Sequence, residues 1–232
     1  MNQNKSTKYL KYAIGEIFLV VIGILIALQI NNWNEIRKTN NQSVAYLNKI
    51  INDLKVDTSN LKVLITKSEK FKQNINKYWD YFNTSDSLNV SMGELLDSIN
   101  NVESFYLKYY PVNKTFKDME SSGNSALLTD VQRDFLIKLA ASQQELEIII
   151  ESYIDQAIAE NQKSKQLLGF PENFYDKLKL NNTEDRQVQG LLHLHLNTEA
   201  LYQLYTYVKS RGEAINKLST EAIQLLENYN HD

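Results

Sequence analysis

The longest apolar stretch of the chain covers residues 13–30 and reads AIGEIFLVVIGILIALQI. Its only charged residue is Glu16, and its centre from Ile17 to Leu28 has no polar side chain. Eighteen residues at about 1.5 Å per residue form a helix of about 27 Å, close to the roughly 30 Å hydrocarbon core of a bilayer. Because a soluble helix needs a polar face, we predict a transmembrane helix over residues 13–30.

Aromatic residues flank this stretch, with Tyr9 and Tyr12 before it and Trp33 after it. Amphipathic aromatic side chains settle at the headgroup level of a membrane, so we predict these three as interfacial anchors. A cleaved signal peptide ends its apolar region in small residues, whereas residues 27–33 carry bulky groups. The pattern therefore predicts a retained anchor.

The charges around the span bear on its orientation. Three lysines precede it and two basic residues follow it: Lys5, Lys8, Lys11, Arg37 and Lys38. The excess on the N-terminal side favours a cytoplasmic N-terminus. We therefore predict a short cytoplasmic tail over residues 1–12, a juxtamembrane linker over residues 31–43 and a bundle domain over residues 44–232 outside the cytoplasm. The chain has no cysteine, so disulfides give no information on the compartment.

Beyond the linker, apolar residues recur at spacings of three and four, which is the helical period. A first helix is predicted from near Val44 to Phe82, with an imperfect coiled-coil-like stripe interrupted at Thr58, Ser68 and Lys72. Its apolar positions are Leu47, Ile51, Leu54, Leu61, Ile65, Ile75, Trp79 and Phe82.

Capping patterns mark two short helices. Ser91 with Glu94 forms a capping box for a helix that ends at about Asn100. A second capped helix is predicted from near Asn113 to Gly123, where glycine suits a left-handed position.

Two further long helices follow. Thr129 with Gln132 forms the capping box of a helix to about Leu168, which Gly169-Phe170-Pro171 ends. Its inward stripe is Phe135, Leu139, Leu146, Ile149 or Ile150, Tyr153 and Ala157. The last helix is predicted after Asn182, and its stripe is Leu191, Leu194, Leu201, Tyr205, Val208, Ile215, Ala222, Leu226 and Tyr229. The fold class is therefore all-α, an elongated antiparallel helical bundle after one transmembrane helix.

The charge balance argues against nucleic-acid binding. Beyond residue 40, 26 acidic residues outnumber 20 basic ones, whereas a nucleic-acid binder needs a basic surface to neutralise phosphates.

Candidate metal ligands are poorly spaced. His193 and His195 lie two residues apart and point about 200° apart on a helix, whereas zinc helices use a spacing of four. We interpret the cluster Glu145, Glu147 and Glu151 as a solvated face. No nucleophile motif or phosphate-binding loop occurs. We expect no metal, no cofactor and no enzymatic activity.

Glu16 lies about one turn inside the span, where a carboxylate is costly unless it is paired or hydrated. Two interpretations stay open: Glu16 lies at the headgroup boundary near Lys8 or Lys11, or it contacts another membrane helix. A strip of small residues would permit such a helix to approach closely. The strip is Gly15, Gly23 and Ala27.

Residues 11–35, from Lys11-Tyr12 through GEIFLVVIGILIALQINNWNE, resemble the N-terminal signature of a large uncharacterised family of single-pass membrane proteins of Gram-negative bacteria. The resemblance continues loosely through Tyr46-Leu47, Asp53-Leu54 and residues 121–128. It implies a membrane location and no nameable enzymatic activity. The family-pattern residues of unknown role are Gly15, Glu16, Gln29, Asn31, Asn32, Trp33, Asn34, Ser122, Gly123 and Asn124.

These features favour a membrane-anchored helical interaction or accessory (scaffold) protein of the bacterial inner membrane. Its expected partners are the membrane and either a membrane protein or a second copy of the chain. The alternative is a sensor-like extracytoplasmic domain that binds a ligand and acts through a partner. Tyrosines would line its pocket: Tyr106, Tyr109, Tyr110, Tyr202, Tyr205 and Tyr207.

Overall fold

The computed structural model describes residues 3–84, 90–178 and 183–228. Its helices are α1 (Gln3–Thr84), α2 (Met92–Asn100), α3 (Lys114–Ser121), α4 (Asp130–Leu168), α5 (Glu172–Lys177) and α6 (Thr183–Asn228). A single 3-10 turn, Asn124–Leu127, precedes α4. Within these ranges no strand occurs, so the all-α prediction is confirmed.

Helix α1 is one uninterrupted helix of 82 residues, about 123 Å long at 1.5 Å per residue. The predicted start of a separate helix near Val44 is wrong, because residues 31–43, expected to be a linker, are helical throughout. No glycine or proline lies between Gly23 and Gly93, so no residue there terminates the helix. The polar side chains of residues 31–42 are compatible with a helix whose surface is uncovered.

Helix α6 runs antiparallel to α1. The Nζ of Lys55 lies 3.1 Å from a carboxylate oxygen of Glu227. Near the far end of α1, the indole of Trp79 donates to the hydroxyl of Thr198. Residues later in α1 therefore contact residues earlier in α6, as expected for antiparallel helices.

Helix α6 is also antiparallel to α4. The guanidinium of Arg211 lies 3.4 Å from Glu145, and the amide of Asn197 donates to the carbonyl of Ala157 at 2.6 Å. Helices α1 and α4 are therefore parallel to each other, and α6 packs against both.

The chain returns from the far end of α1 to its middle through residues 101–129, which we call the return segment. The amide of Asn74 donates to the carbonyl of Glu103 at 3.1 Å. At the other end, the hydroxyl of Ser43 donates to the carbonyl of Leu127 at 2.9 Å. The return segment thus lies along α1 and includes α3.

The helical stripes form the core. Most predicted stripe positions are buried, and the fully covered ones include Leu47, Leu61, Leu146, Ala157 and Val208. On α4 the most buried side chains are shifted by one residue from two predicted positions. Leu136 and Ile154 are buried where Phe135 and Tyr153 were expected, and the latter two pack at the edge of the core.

The predicted polar interruptions of the α1 stripe are confirmed in part. Thr58 is half-buried, whereas its neighbour Asp57 is fully buried. Ser68 is buried and donates to the carbonyl of Leu64. The Nζ of Lys72 lies 4.5 Å from the centroid of the Tyr202 ring, so its charge rests on an aromatic face.

Both predicted capping boxes are present, at Ser91 with Glu94 and at Thr129 with Gln132. Gly123 has φ 75° and takes the predicted left-handed position after α3. Asn113 precedes α3 but makes no side-chain cap.

Some predicted features lie outside what is described. They are the end of the last helix at Tyr229, the residue Asn182 before its start, and the side chains of Tyr9 and Tyr12.

The Thr129 cap gives a test of the long-helix boundary. We expect Thr129→Ala to lower the free energy of unfolding by about 1 kcal/mol, because a backbone N–H of α4 loses its acceptor. Circular dichroism of the full chain in mild detergent during chemical denaturation measures this. The control Thr220→Ala, on an exposed face of α6, should change stability by less than about 0.5 kcal/mol. Equal losses in the two variants would contradict the capping role.

Candidate functional site

The first candidate site is the apolar segment of α1, residues 14–30. Apart from the half-buried Ile22, its large apolar side chains are exposed on all sides of the helix, from 46% at Val21 to 71% at Leu19. An 18-residue window has a mean hydropathy of 2.2 and none of it is buried. Contiguous apolar surface of this extent is rare on soluble monomers. By length and composition, this part of α1 is able to cross a membrane.

The small-residue strip in this segment is uncovered. A Cβ added at Gly15 or at Gly23 would meet no atom within 4 Å, and the side chains of Glu16 and Ala27 are exposed. No described part of the chain packs against the strip, so a contact with a partner helix stays a prediction.

Polar residues follow the segment along α1. Trp33 is exposed, and the guanidinium carbon of Arg37 lies 5.3 Å from the centre of its ring. Arg37 also donates to the Asn34 side chain at 3.4 Å. Gln29, Asn31 and Asn32 are exposed and face no other described element.

The turn after α3 is attached to α1. The amide of Asn124 donates to the hydroxyl of Tyr46 at 3.1 Å and to the hydroxyl of Ser122 at 2.8 Å. At the N-terminal end of α3, the backbone N–H of Thr115 donates to a carboxylate oxygen of Asp53 at 2.9 Å. These contacts give a structural role to Ser122 and Asn124. Both were among the family-pattern residues of unknown role.

The second candidate site is a buried polar cluster around Asp57, which is completely inaccessible. One carboxylate oxygen accepts from the hydroxyl of Tyr109 at 2.9 Å and from the amide of Gln143 at 2.8 Å. The other oxygen accepts from the backbone N–H of Val112 at 2.9 Å. The Gln143 carbonyl in turn accepts from the Asn113 amide at 2.8 Å. The cluster therefore joins α1, the return segment and α4.

The donors explain how this carboxylate is tolerated in the core. A buried charge is costly unless hydrogen bonds compensate for lost water, and bonds to an ionised acceptor are stronger than neutral ones. Burial raises the pKa of Tyr109 far above its ordinary value, and the charge of Asp57 raises it further. The Tyr109 hydroxyl thus remains a donor, and the cluster holds three segments together.

Asp57 was missed by sequence reasoning, although a signal was present. It lies seven residues after Ile50 and before Leu64, within the apolar stripe of α1. A carboxylate at such a position must find donors in the core.

His193 and His195 make separate contacts. Nδ1 of His193 lies 2.6 Å from Glu160, and the pKa of Glu160 is lowered by hydrogen bonds from Lys163 and His193. His195 instead lies among aromatic rings, 6.0 Å from Trp79 between centroids. Among the described residues, no group of three or more histidine or acidic side chains is placed to hold a metal ion. His231 lies outside those residues.

The glutamates of the predicted solvated face do not act together. Glu145 pairs with Arg211, Glu151 is exposed, and Glu147 is half-buried.

The tyrosines predicted to share a pocket make separate contacts. Tyr109 belongs to the Asp57 cluster, whereas the Tyr205 hydroxyl bonds the backbone of Phe105. Tyr207 stacks on Tyr153. Tyr202 packs on Trp79, Tyr106 accepts from Asn161, and Tyr110 is 67% exposed.

The fold and the exposed segment define a class of protein: a helical bundle with one helix long and apolar enough to cross a membrane. Residues 16–140 match the model of the family of unknown function DUF6090. The match covers more than half of the chain, and the chain belongs to this family. It includes residues 16–30 of the apolar segment, Asp57 and the return segment. Searches of curated proteins and of solved structures gave no match.

The Asp57 cluster predicts an order of stabilities. We expect Asp57→Asn to lower the free energy of unfolding by about 2–3 kcal/mol, because an amide N–H₂ would face buried donors. Tyr109→Phe should cost about 1 kcal/mol, since Asp57 keeps two other donors. Chemical denaturation of the full chain in detergent measures both.

The control is Asp155→Asn, because Asp155 is exposed on α4. It should change the stability by less than about 0.5 kcal/mol. An Asp57→Asn variant as stable as this control would show that the cluster does not hold the segments together.

Proposed function

We propose that the chain is a membrane-anchored helical interaction protein, an accessory or scaffold subunit of a complex in the bacterial cell envelope, without catalytic activity. One observation supports this most strongly: the exposed apolar segment and the core stripe of the bundle belong to the same uninterrupted helix. An anchor built in this way holds a folded domain in a defined position relative to the membrane.

The proposed arrangement is a single pass through the inner membrane, with the N-terminus in the cytoplasm and the bundle in the periplasm. The lysines before the apolar segment favour it. From residue 30 to Thr84, α1 rises by about 81 Å. The bundle would therefore extend well beyond the headgroups and present its long faces to partner proteins.

The proposed partner within the membrane is a helix of another envelope protein or of a second copy. Support comes from the open space at Gly15 and Gly23, since small residues let two helix backbones approach closely. Glu16 lies about 100° from Gly15 around the helix and would border this contact.

The anchor is tested by Ile22→Lys. A lysine near the centre of the bilayer costs about 2.5–3.5 kcal/mol on insertion scales, so we expect the variant to be extracted by carbonate or degraded. The matched control Ile22→Leu should remain in the membrane pellet. Full retention of Ile22→Lys would contradict the anchor.

The partner contact is tested by cross-linking in native membranes. Gly23→Leu should strongly reduce cross-linking because it blocks close approach, whereas Glu16→Gln should reduce it less because packing carries most helix association. Val21→Leu, about 200° away from Gly23, is the control. Equal cross-linking in all variants would mean that the strip faces lipid.

A further inference from the structure

An open cleft of about 420 Å³ lies where α1, α2 and the start of the return segment meet, at the end of the bundle far from the apolar segment. Its volume is within the range of about 300–1,000 Å³ typical of small-molecule sites. It is lined by Lys77, Tyr78 and Tyr81 of α1 and by Asn101 and Glu103 of the return segment.

Among the described residues, the charges of the cleft leave one cation, Lys77, without an acidic partner. The Glu103 carboxylate pairs with Lys70 at 3.0 Å, and its backbone carbonyl accepts from Asn74 at 3.1 Å. Lys77 is exposed and makes no ion pair or hydrogen bond within the described residues. The free ammonium group therefore favours an anionic ligand.

A second polar group of the cleft is also unpaired. Tyr78 is only 4% exposed, and its hydroxyl has no hydrogen-bond partner in the described part of the chain. Burial raises the pKa of Tyr78 to about 12, so the hydroxyl stays protonated at neutral pH. An unpaired buried donor is unfavourable, and an acceptor atom brought by a ligand would relieve it.

We propose that this cleft binds a small aromatic carboxylate. The Lys77 ammonium pairs with the carboxylate, and the Tyr78 hydroxyl, which has no partner within the described residues, donates to it. The aromatic ring of the ligand packs against Tyr81, which is 40% exposed, since aromatic pairs are favourable beyond their buried area. Because α1 and the start of the return segment both line the cleft, the bound ligand contacts both. This binding activity goes beyond the proposed scaffold role.

Isothermal titration calorimetry of the full chain in mild detergent tests the proposal. The probes are benzoate, phenylacetate and 3-phenylpropionate, each beside its neutral amide. We expect at least one carboxylate to bind, with its amide at least tenfold weaker. Lys77→Met should weaken binding at least tenfold, and Tyr78→Phe severalfold. Lys67→Met, at another exposed position of α1, should leave binding unchanged.

No binding by any of the three carboxylates would overturn the proposal, as would equal binding of acid and amide, or binding unaffected by Lys77→Met. Circular dichroism of each variant checks its fold. The scaffold proposal is judged separately by membrane retention and cross-linking, which do not depend on this cleft.

Discussion

Helix α1 continues without a break from an exposed apolar segment into the core of the bundle. The rest of the structure depends on this continuity. Over residues 14–30 its surface is apolar and exposed all around. From Ser43 onward one face is buried against the bundle, and the polar residues between have no cover. A helix of regular geometry relates its two ends rigidly. The direction in which the bundle leaves the apolar segment is therefore set by α1 itself.

The return segment imposes a second constraint, because residues 101–113 lie outside any helix. Buried backbone groups must find hydrogen-bond partners, and here side chains of the long helices supply them. Asp57 accepts from Val112, and the Tyr205 hydroxyl bonds both backbone groups of Phe105. Apolar stripes make helices pack, but these polar contacts determine which part of the return segment lies against which turn of α1.

The features that could be predicted from the sequence are those that interactions between neighbouring residues determine. The capping boxes at Ser91 and Thr129 and the left-handed Gly123 depend on a few neighbouring residues, and all three are present. The apolar length that identifies the segment of residues 14–30 is likewise a local property.

Long-range contacts explain what was missed. The cluster joins Asp57 to Gln143, 86 residues away, and no spacing rule connects them. A separate helix was predicted from near Val44, yet a stretch without glycine or proline can continue a helix between two stable ends. The tyrosines of α6 and the return segment do not share a pocket. Their neighbours depend on how the helices are aligned along each other, which periodicity alone does not determine.

The continuity of α1 can be measured directly, because the chain has no cysteine and labels can be placed without removing any. Nitroxides at Asn31→Cys and Lys67→Cys lie on one exposed face of α1. Over 36 residues, a continuous helix separates their backbones by about 54 Å. Pulsed electron resonance of the full chain in lipid bilayers should give one narrow distance distribution centred near this value. A broad distribution, or one centred well below it, would show a hinge between the apolar segment and the bundle and would contradict the account.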